Sequence, residues 1–243
     1  MTKKALGLLA AVAVLAGCNS FKAETYSDNM VMPLTEGSTD SLRIDIGLEY
    51  VVKGLSEEVM AKINAAILTV AFDLEEKPGS VEETAIRYRD NLVDEYIAQH
   101  QEASVPAGFA TWEDNIYGQF SGRYKDWLNY QMAYYSYRGG IHGVQTVTGL
   151  VFDTATGATL TEQDLFAPGY EAPLKALLYQ RIQEGLDPDD ASMVEEDWLK
   201  VNGNFCVGPE GVQWFFQPYE IGPYVLGLQT ATLSWKELEP YRK

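Results

Sequence analysis

Leu42, Ile44, Ile46, Leu48 and Tyr50 alternate with Arg43, Asp45, Gly47 and Glu49. A period of two sustained over this length describes a strand with one face on a core and the other toward water. Two helical patterns follow. Ser56 with Glu57 and Glu58 opens the first, which carries Val59, Ile63, Ala66, Ile67 and Val70 on one face to about Phe72. Lys77-Pro78-Gly79 breaks it. Ser80-Val81-Glu82-Glu83 then reads as a capping box, in which Ser80 and Glu83 satisfy each other's orphan amides. Ile86, Leu92, Val93, Tyr96 and Ile97 carry that second helix to about Gln101.

Beyond Trp112 the texture changes. Residues 115–124 and 127–138 are rich in Tyr and Phe, alternate in part, and are split by Lys125-Asp126, which predicts paired antiparallel strands. Residues 144–152 read as another strand and 153–157 as a turn. A capped helical turn follows at Thr161, then a helix over 171–186 and a second, acidic helix over 190–200. The chain ends in a strand, a turn at Gly208-Pro209-Glu210-Gly211, strands over 212–217 and 225–233, and a short helix from Trp235. Strands and helices in blocks joined by hairpins predict an α+β fold, antiparallel sheets with helices packed on them, rather than a parallel α/β fold. We expect two closely associated subdomains, residues 42–142 and 143–243.

The N-terminus carries a different message. Lys3-Lys4 precedes an apolar run over residues 5–16 and then Leu15-Ala16-Gly17-Cys18, the layout of a secretory signal over residues 1–17. The run is shorter than the roughly twenty apolar residues a permanent span needs. The Leu-Ala-Gly-Cys ending resembles a bacterial lipobox, which implies a lipid on Cys18 and a mature body tethered to a bacterial membrane, facing the periplasm or the cell surface. Residues 18–41 are polar without a sustained period and read as a flexible tether.

Lys and Arg number 18 against 35 Asp and Glu, a net charge of −17 that loss of Lys3 and Lys4 makes more negative still. Such a body repels nucleic-acid phosphates and anionic lipid, so the lipid must do the anchoring. The same field attracts a cationic partner. With Cys18 acylated, Cys206 is left without an internal disulfide partner, and its apolar surroundings in Phe205-Cys206-Val207 suit a buried, inert thiol. The 15 Tyr, 9 Phe and 5 Trp mostly fill a core, though aromatics also stack on sugars and anchor interfaces.

Two segments resemble a known family. The first is Tyr137-Arg138-Gly139-Gly140-Ile141-His142-Gly143, followed by the turn Asp153-Thr154-Ala155-Thr156-Gly157 and by Asp164-Leu165-Phe166. The second runs from Gly211 through Trp214 and Tyr219-Glu220-Ile221-Gly222-Pro223-Tyr224 to Gly227. Together they are similar to the paired envelope domains of RsiV-type anti-sigma factors and PdaC-type polysaccharide deacetylases. Ile141 and Gly222 stand where that pattern usually has Ala, and Ala158 where it has Lys. The resemblance implies a non-catalytic recognition module of the cell envelope, binding lysozyme in the RsiV-type proteins. It transfers no binding site to particular residues here.

The stock for catalysis is thin. The two histidines are His100 and His142, and no His-x-x-x-His, Cys-x-x-Cys or Gly-x-Ser-x-Gly pattern occurs. No metal or cofactor is expected. The acidic run Asp187-Pro188-Asp189-Asp190 with Glu195-Glu196-Asp197 lacks an EF-hand's glycine and reads as a solvated helix start capped by Asp189 or Asp190. His142, flanked by glycines, is either an exposed imidazole or a turn residue, with the turn favoured. Pro218 and Pro223 stiffen a loop that carries Tyr219, Glu220 and Tyr224 close to Trp214, either a rigid aromatic-acidic grip or a plug for the end of the sheet. His142, Trp214, Tyr219, Glu220 and Tyr224 are thus the candidate binding residues, and Cys18 the lipidation site. The expected function is binding, of a lysozyme-like cationic protein or a peptidoglycan-type glycan. The alternative is an envelope hydrolase in which His142 works with a nearby carboxylate.

Overall fold

The computed structural model describes residues 21–101 and 109–243, so Cys18 and the signal segment lie outside the described residues. The predicted alternation at 42–50 is the middle of strand β2 (Ser41–Lys53), with Leu42, Ile44, Ile46 and Leu48 fully buried. Against that face lie α1 (Glu57–Ala71), through Val59, Ile63 and Ile67, and α2 (Val81–Gln101), through Ala85, Leu92 and Tyr96. Each such side chain contributes about 1.5–3 kcal/mol when removed from water. Ser56 Oγ caps α1 by accepting from Val59 N (3.3 Å), and Ser80 and Glu83 form the expected box ahead of α2.

β2 is flanked by β1 (Lys22–Pro33) and β3 (Trp112–Tyr124), and β4 (Trp127–Tyr137) and β5 (Val144–Asp153) complete a sheet of order β1-β2-β3-β4-β5. Two expectations are corrected here. Residues 22–33 are not a tether; they pair antiparallel with β2 over the whole strand, from Lys22 opposite Lys53 to Pro33 opposite Ser41. Tyr26, Met30 and Met32 pack on the core while Thr25, Ser27 and Asn29 face water, so one half-buried face holds an otherwise polar segment. Nor is the sheet wholly antiparallel. β2 and β3 run parallel, because the α1–α2 crossover carries the chain back to the end where β2 began.

The second half packs on the sheet's other face. α3 (Glu162–Leu165), α4 (Glu171–Gly185) and α5 (Pro188–Ala191) precede an antiparallel sheet of β6 (Phe205–Val207), β7 (Gly211–Phe216) and β8 (Gln229–Ser234), and α6 (Trp235–Leu238) follows. Val212, Trp214, Phe216 and Leu233 meet Leu174, Leu178 and Ile182 of α4 in a second core. Phe152 of β5 joins the first core and its neighbour Val151 the second, so β5 faces both. The expected division after residue 142 therefore assigns β5 to one half although its hydrogen bonds lie in the sheet of the other. The acidic helix expected over 190–200 is only α5. The cap is Asp187 rather than the expected Asp189 or Asp190; it accepts from the amides of both, and Glu195 N then donates to Ile221 O and pulls the chain out of helical course.

The halves are joined by side-chain amides acting as extra strand. Asn129 Oδ1 accepts from Val207 N and its Nδ2 donates to Val207 O, both at 2.8 Å. Along the free edge of β5, Gln217 pairs with N and O of Val147 (2.9 and 2.7 Å), and Asn204 Oδ1 accepts from Gly149 N (2.7 Å). Gly149 permits the approach, since a Cβ there would stand 2.6 Å from Phe205 O.

Candidate functional site

The alternation that buries Leu42 to Leu48 turns Gly47 and Glu49 of β2 the other way, with Tyr117 and Gln119 of β3, Gln131 and Ala133 of β4, and Gln145 and Val147 of β5. Facing them across a gap are Cys206, Gln213, Phe215 and Thr232 from the sheet of β6, β7 and β8, and the turn 208–211. The two sheets touch where β6 crosses β4 and β5, then diverge and enclose a cleft of about 1370 Å³. None of the described residues that line it is Lys, Arg or His; the charged ones are Glu49 and Glu210.

The lining is a set of carboxamides and hydroxyls on an apolar floor. Gln119 and Gln131 are cross-strand neighbours, with Gln145, Gln213 and Asn129 beside them. Tyr117, exposed on the floor between Gly47 and Ala133, donates to Asp45 Oδ2 at 2.5 Å; burial and then that carboxylate push its phenol up to about 12. Cys206 lies in the wall as a free buried thiol, and burial raises it to about 11. The thiolate that nucleophilic or metal chemistry requires is therefore disfavoured there.

Outside the cleft lining, just before Gln145 in the chain, stands an aromatic cluster. Gly139 and Gly140, at φ +85° and +100°, make the turn that delivers His142 to the start of β5. His142 is exposed and stacks on Tyr224, with centroids 3.9 Å apart and planes 16° apart. Tyr224 OH donates to Gly143 O (2.9 Å), and Tyr219 stands 5.4 Å from the Tyr224 ring, 56% exposed and at φ +70°. A non-glycine residue in that region is strained, and such strain gathers at ligand-gripping positions.

Of the five candidate residues, the fold thus brings together His142, Tyr219 and Tyr224. Glu220 lies behind them: Oε1 accepts from Asn202 Nδ2 (2.6 Å) and Oε2 from Gln217 N (2.7 Å), which pins the loop. Trp214 belongs to the core, fully buried, with Nε1 donating to the buried Glu162 (3.1 Å). His142 Nδ1 contacts Gly143 O, His142 is not among the cleft residues, and among the described residues no carboxylate shares a hydrogen bond with it. Among the described residues a hydrolase dyad of the expected kind is not assembled. Also among the described residues, no cluster of three or more His, Cys, Asp or Glu side chains is arranged to hold a metal ion. Sequence reasoning missed the cleft itself. Its signal is Gln119, Gln131, Gln145 and Gln213 at positions where a strand's outward face meets a second sheet, and no local pattern says that two outward faces oppose.

Residues 163–236, from α3 into α6, match the family described as "Protein of unknown function (DUF3298)", so the chain contains a DUF3298 domain within a mixed α+β architecture. The whole arrangement is similar to a solved DUF3298 family member from Bacteroides fragilis, at TM-score 0.81 and 18% identity over 93% of this chain and 94% of that one. It is also similar to one from Pseudomonas aeruginosa, at TM-score 0.67 and 15% identity over 92% and 95%. At these identities the likeness is one of fold. A search of curated proteins finds no match.

Proposed function

We propose that this protein is a binding module of the bacterial envelope, tethered through lipid on Cys18, whose inter-sheet cleft takes a segment of cell-wall glycan. The observation that carries this reading is the cleft lining, carboxamides and hydroxyls over apolar floor without Lys or Arg; the His142–Tyr224 stack stands outside that lining, at the start of β5. Its volume of about 1370 Å³ exceeds the ~300–1,000 Å³ of a small-molecule pocket and suits an oligomer. Amides match sugar hydroxyls and acetamido groups as donors and acceptors, and tyrosine faces stack on sugar rings. Co-sedimentation of the mature chain with insoluble peptidoglycan tests it. Retention is expected, with loss for Tyr219→Ala combined with Gln145→Ala; recovery of all wild-type protein in the supernatant contradicts it.

The net charge of −17 supports a second reading, capture of a lysozyme-like cationic protein. Salt separates the two. Binding to a cationic protein weakens steeply as salt rises, whereas an amide-and-aromatic glycan site is nearly indifferent to it.

A further inference from the structure

β1 begins where β2 ends, so Lys22 and Lys53 stand opposite each other, and Phe21 meets Phe120 at 5.1 Å. The β3–β4 turn, with exposed Arg123 and Lys125, lies toward the same end of the sheet. Aromatic rings accompany these bases. Lys125 Nζ sits 5.1 Å over the Tyr124 ring, Tyr124 stacks on Trp235 (5.4 Å, 15°), and the Arg242 guanidinium covers Trp235 at 4.9 Å. Lys22, Arg123 and Arg242 also pair with the carboxylates of Glu24, Asp126 and Glu239 (2.7, 3.6 and 3.6 Å), so this end carries paired charges around partly exposed Tyr and Trp, with Lys53 and Lys125 beside them. Tyr and Trp with Lys and Arg beside them are what membrane–water interfaces select, since the rings sit among headgroups and an exposed base can meet phosphate.

Only Asn19 and Ser20 separate Cys18 from Phe21. Even fully extended, a connection of that length reaches about 11 Å. We infer that this end of the first sheet is a membrane-docking surface, resting on the phospholipid headgroups of the bilayer that holds the chain. The inference depends on the reading of Cys18 as the lipidated residue. The strands then stand away from the membrane, and the His142–Tyr219–Tyr224 rim, at the end where β5 begins, faces outward about 35 Å from the anchored end at ~3.4 Å per residue. The cleft runs between the two ends, with Thr25, Glu49 and the 208–211 turn on the membrane side and Gln145 on the far side.

The test uses the full chain, matured in a bacterium and reconstituted into phosphatidylethanolamine–phosphatidylglycerol vesicles with nitroxide headgroups in the outer leaflet. A fluorophore is placed by Lys125→Cys in one sample and Ile141→Cys in another; Ile141 is fully exposed and next to the rim, and native Cys206 is buried. Quenching several-fold stronger at 125 than at 141 is expected. Equal quenching, or stronger quenching at 141, overturns the orientation. Mass spectrometry of the N-terminal peptide is read on the same samples: an unmodified Cys18 overturns the anchor and this surface together, while glycan binding by the cleft stands or falls by co-sedimentation alone.

Discussion

Asn129, Asn204 and Gln217 each present a carboxamide to backbone that would otherwise be left without partners when the two halves close. Asn129 is the clearest, buried and bonded at both atoms to Val207. Asn129→Ala strands a buried N–H and a buried C=O, each costing about 1–3 kcal/mol, so urea unfolding is expected to give a loss of about 3 kcal/mol; a loss no greater than that of an exposed Asn→Ala control contradicts the account. Cys206 gives a second check at this scale. With burial holding its thiol near 11, reaction with a disulfide reagent at pH 8 is expected to be very slow in the folded chain and fast in denaturant. Equal rates would mean that the inter-sheet wall is open.

At the scale of elements, the termini of short helices make stability depend on pH. Ser234, by hydroxyl and amide, and then Arg181 hold the Glu237 carboxyl below its ordinary value, and Thr161 does the same for Asp164. A carboxyl depressed in the folded state stabilises above its unfolded pKa, near 4, and that contribution is lost as pH falls through the lower folded value. Thermal stability should fall from pH 6 to pH 3, and Asp164→Asn with Glu237→Gln should flatten the fall; an unchanged slope contradicts it. β1 makes a stronger prediction. A chain starting at residue 36 removes the strand that covers the edge of β2 and Tyr26, Met30 and Met32 from the core, so it should aggregate or unfold more readily. A stable monomer with unchanged melting would contradict this.

These elements also show what a sequence can convey. β2, α1 and α2 are legible because each has one apolar face at a fixed period, and the caps at Ser80 and Thr161 because capping is local chemistry. β1 is illegible because an edge strand half-buries one face, and its polar Ser27-Asp28-Asn29 stretch masks the Tyr26, Met30 and Met32 period. The parallel pairing of β2 with β3 is set by a crossover, not by either strand. His142, Tyr219 and Tyr224 carry a signature strong enough to single out, whereas Trp214 and Glu220 sit in the same motif for packing and loop geometry.

Over the whole molecule, two sheets that each bury one face on helices meet through their remaining faces at β4–β6 and splay elsewhere, and the cleft follows from that. Its glycan specificity is the central claim. The most direct measurement is calorimetric titration of the mature chain with soluble peptidoglycan fragments, beside Ala133→Trp, which fills the floor between Tyr117 and Val147. The account predicts saturable, salt-insensitive heat for the wild type and its loss in Ala133→Trp with melting unchanged. Absence of heat in the wild type, or undiminished binding in a folded Ala133→Trp, would contradict it.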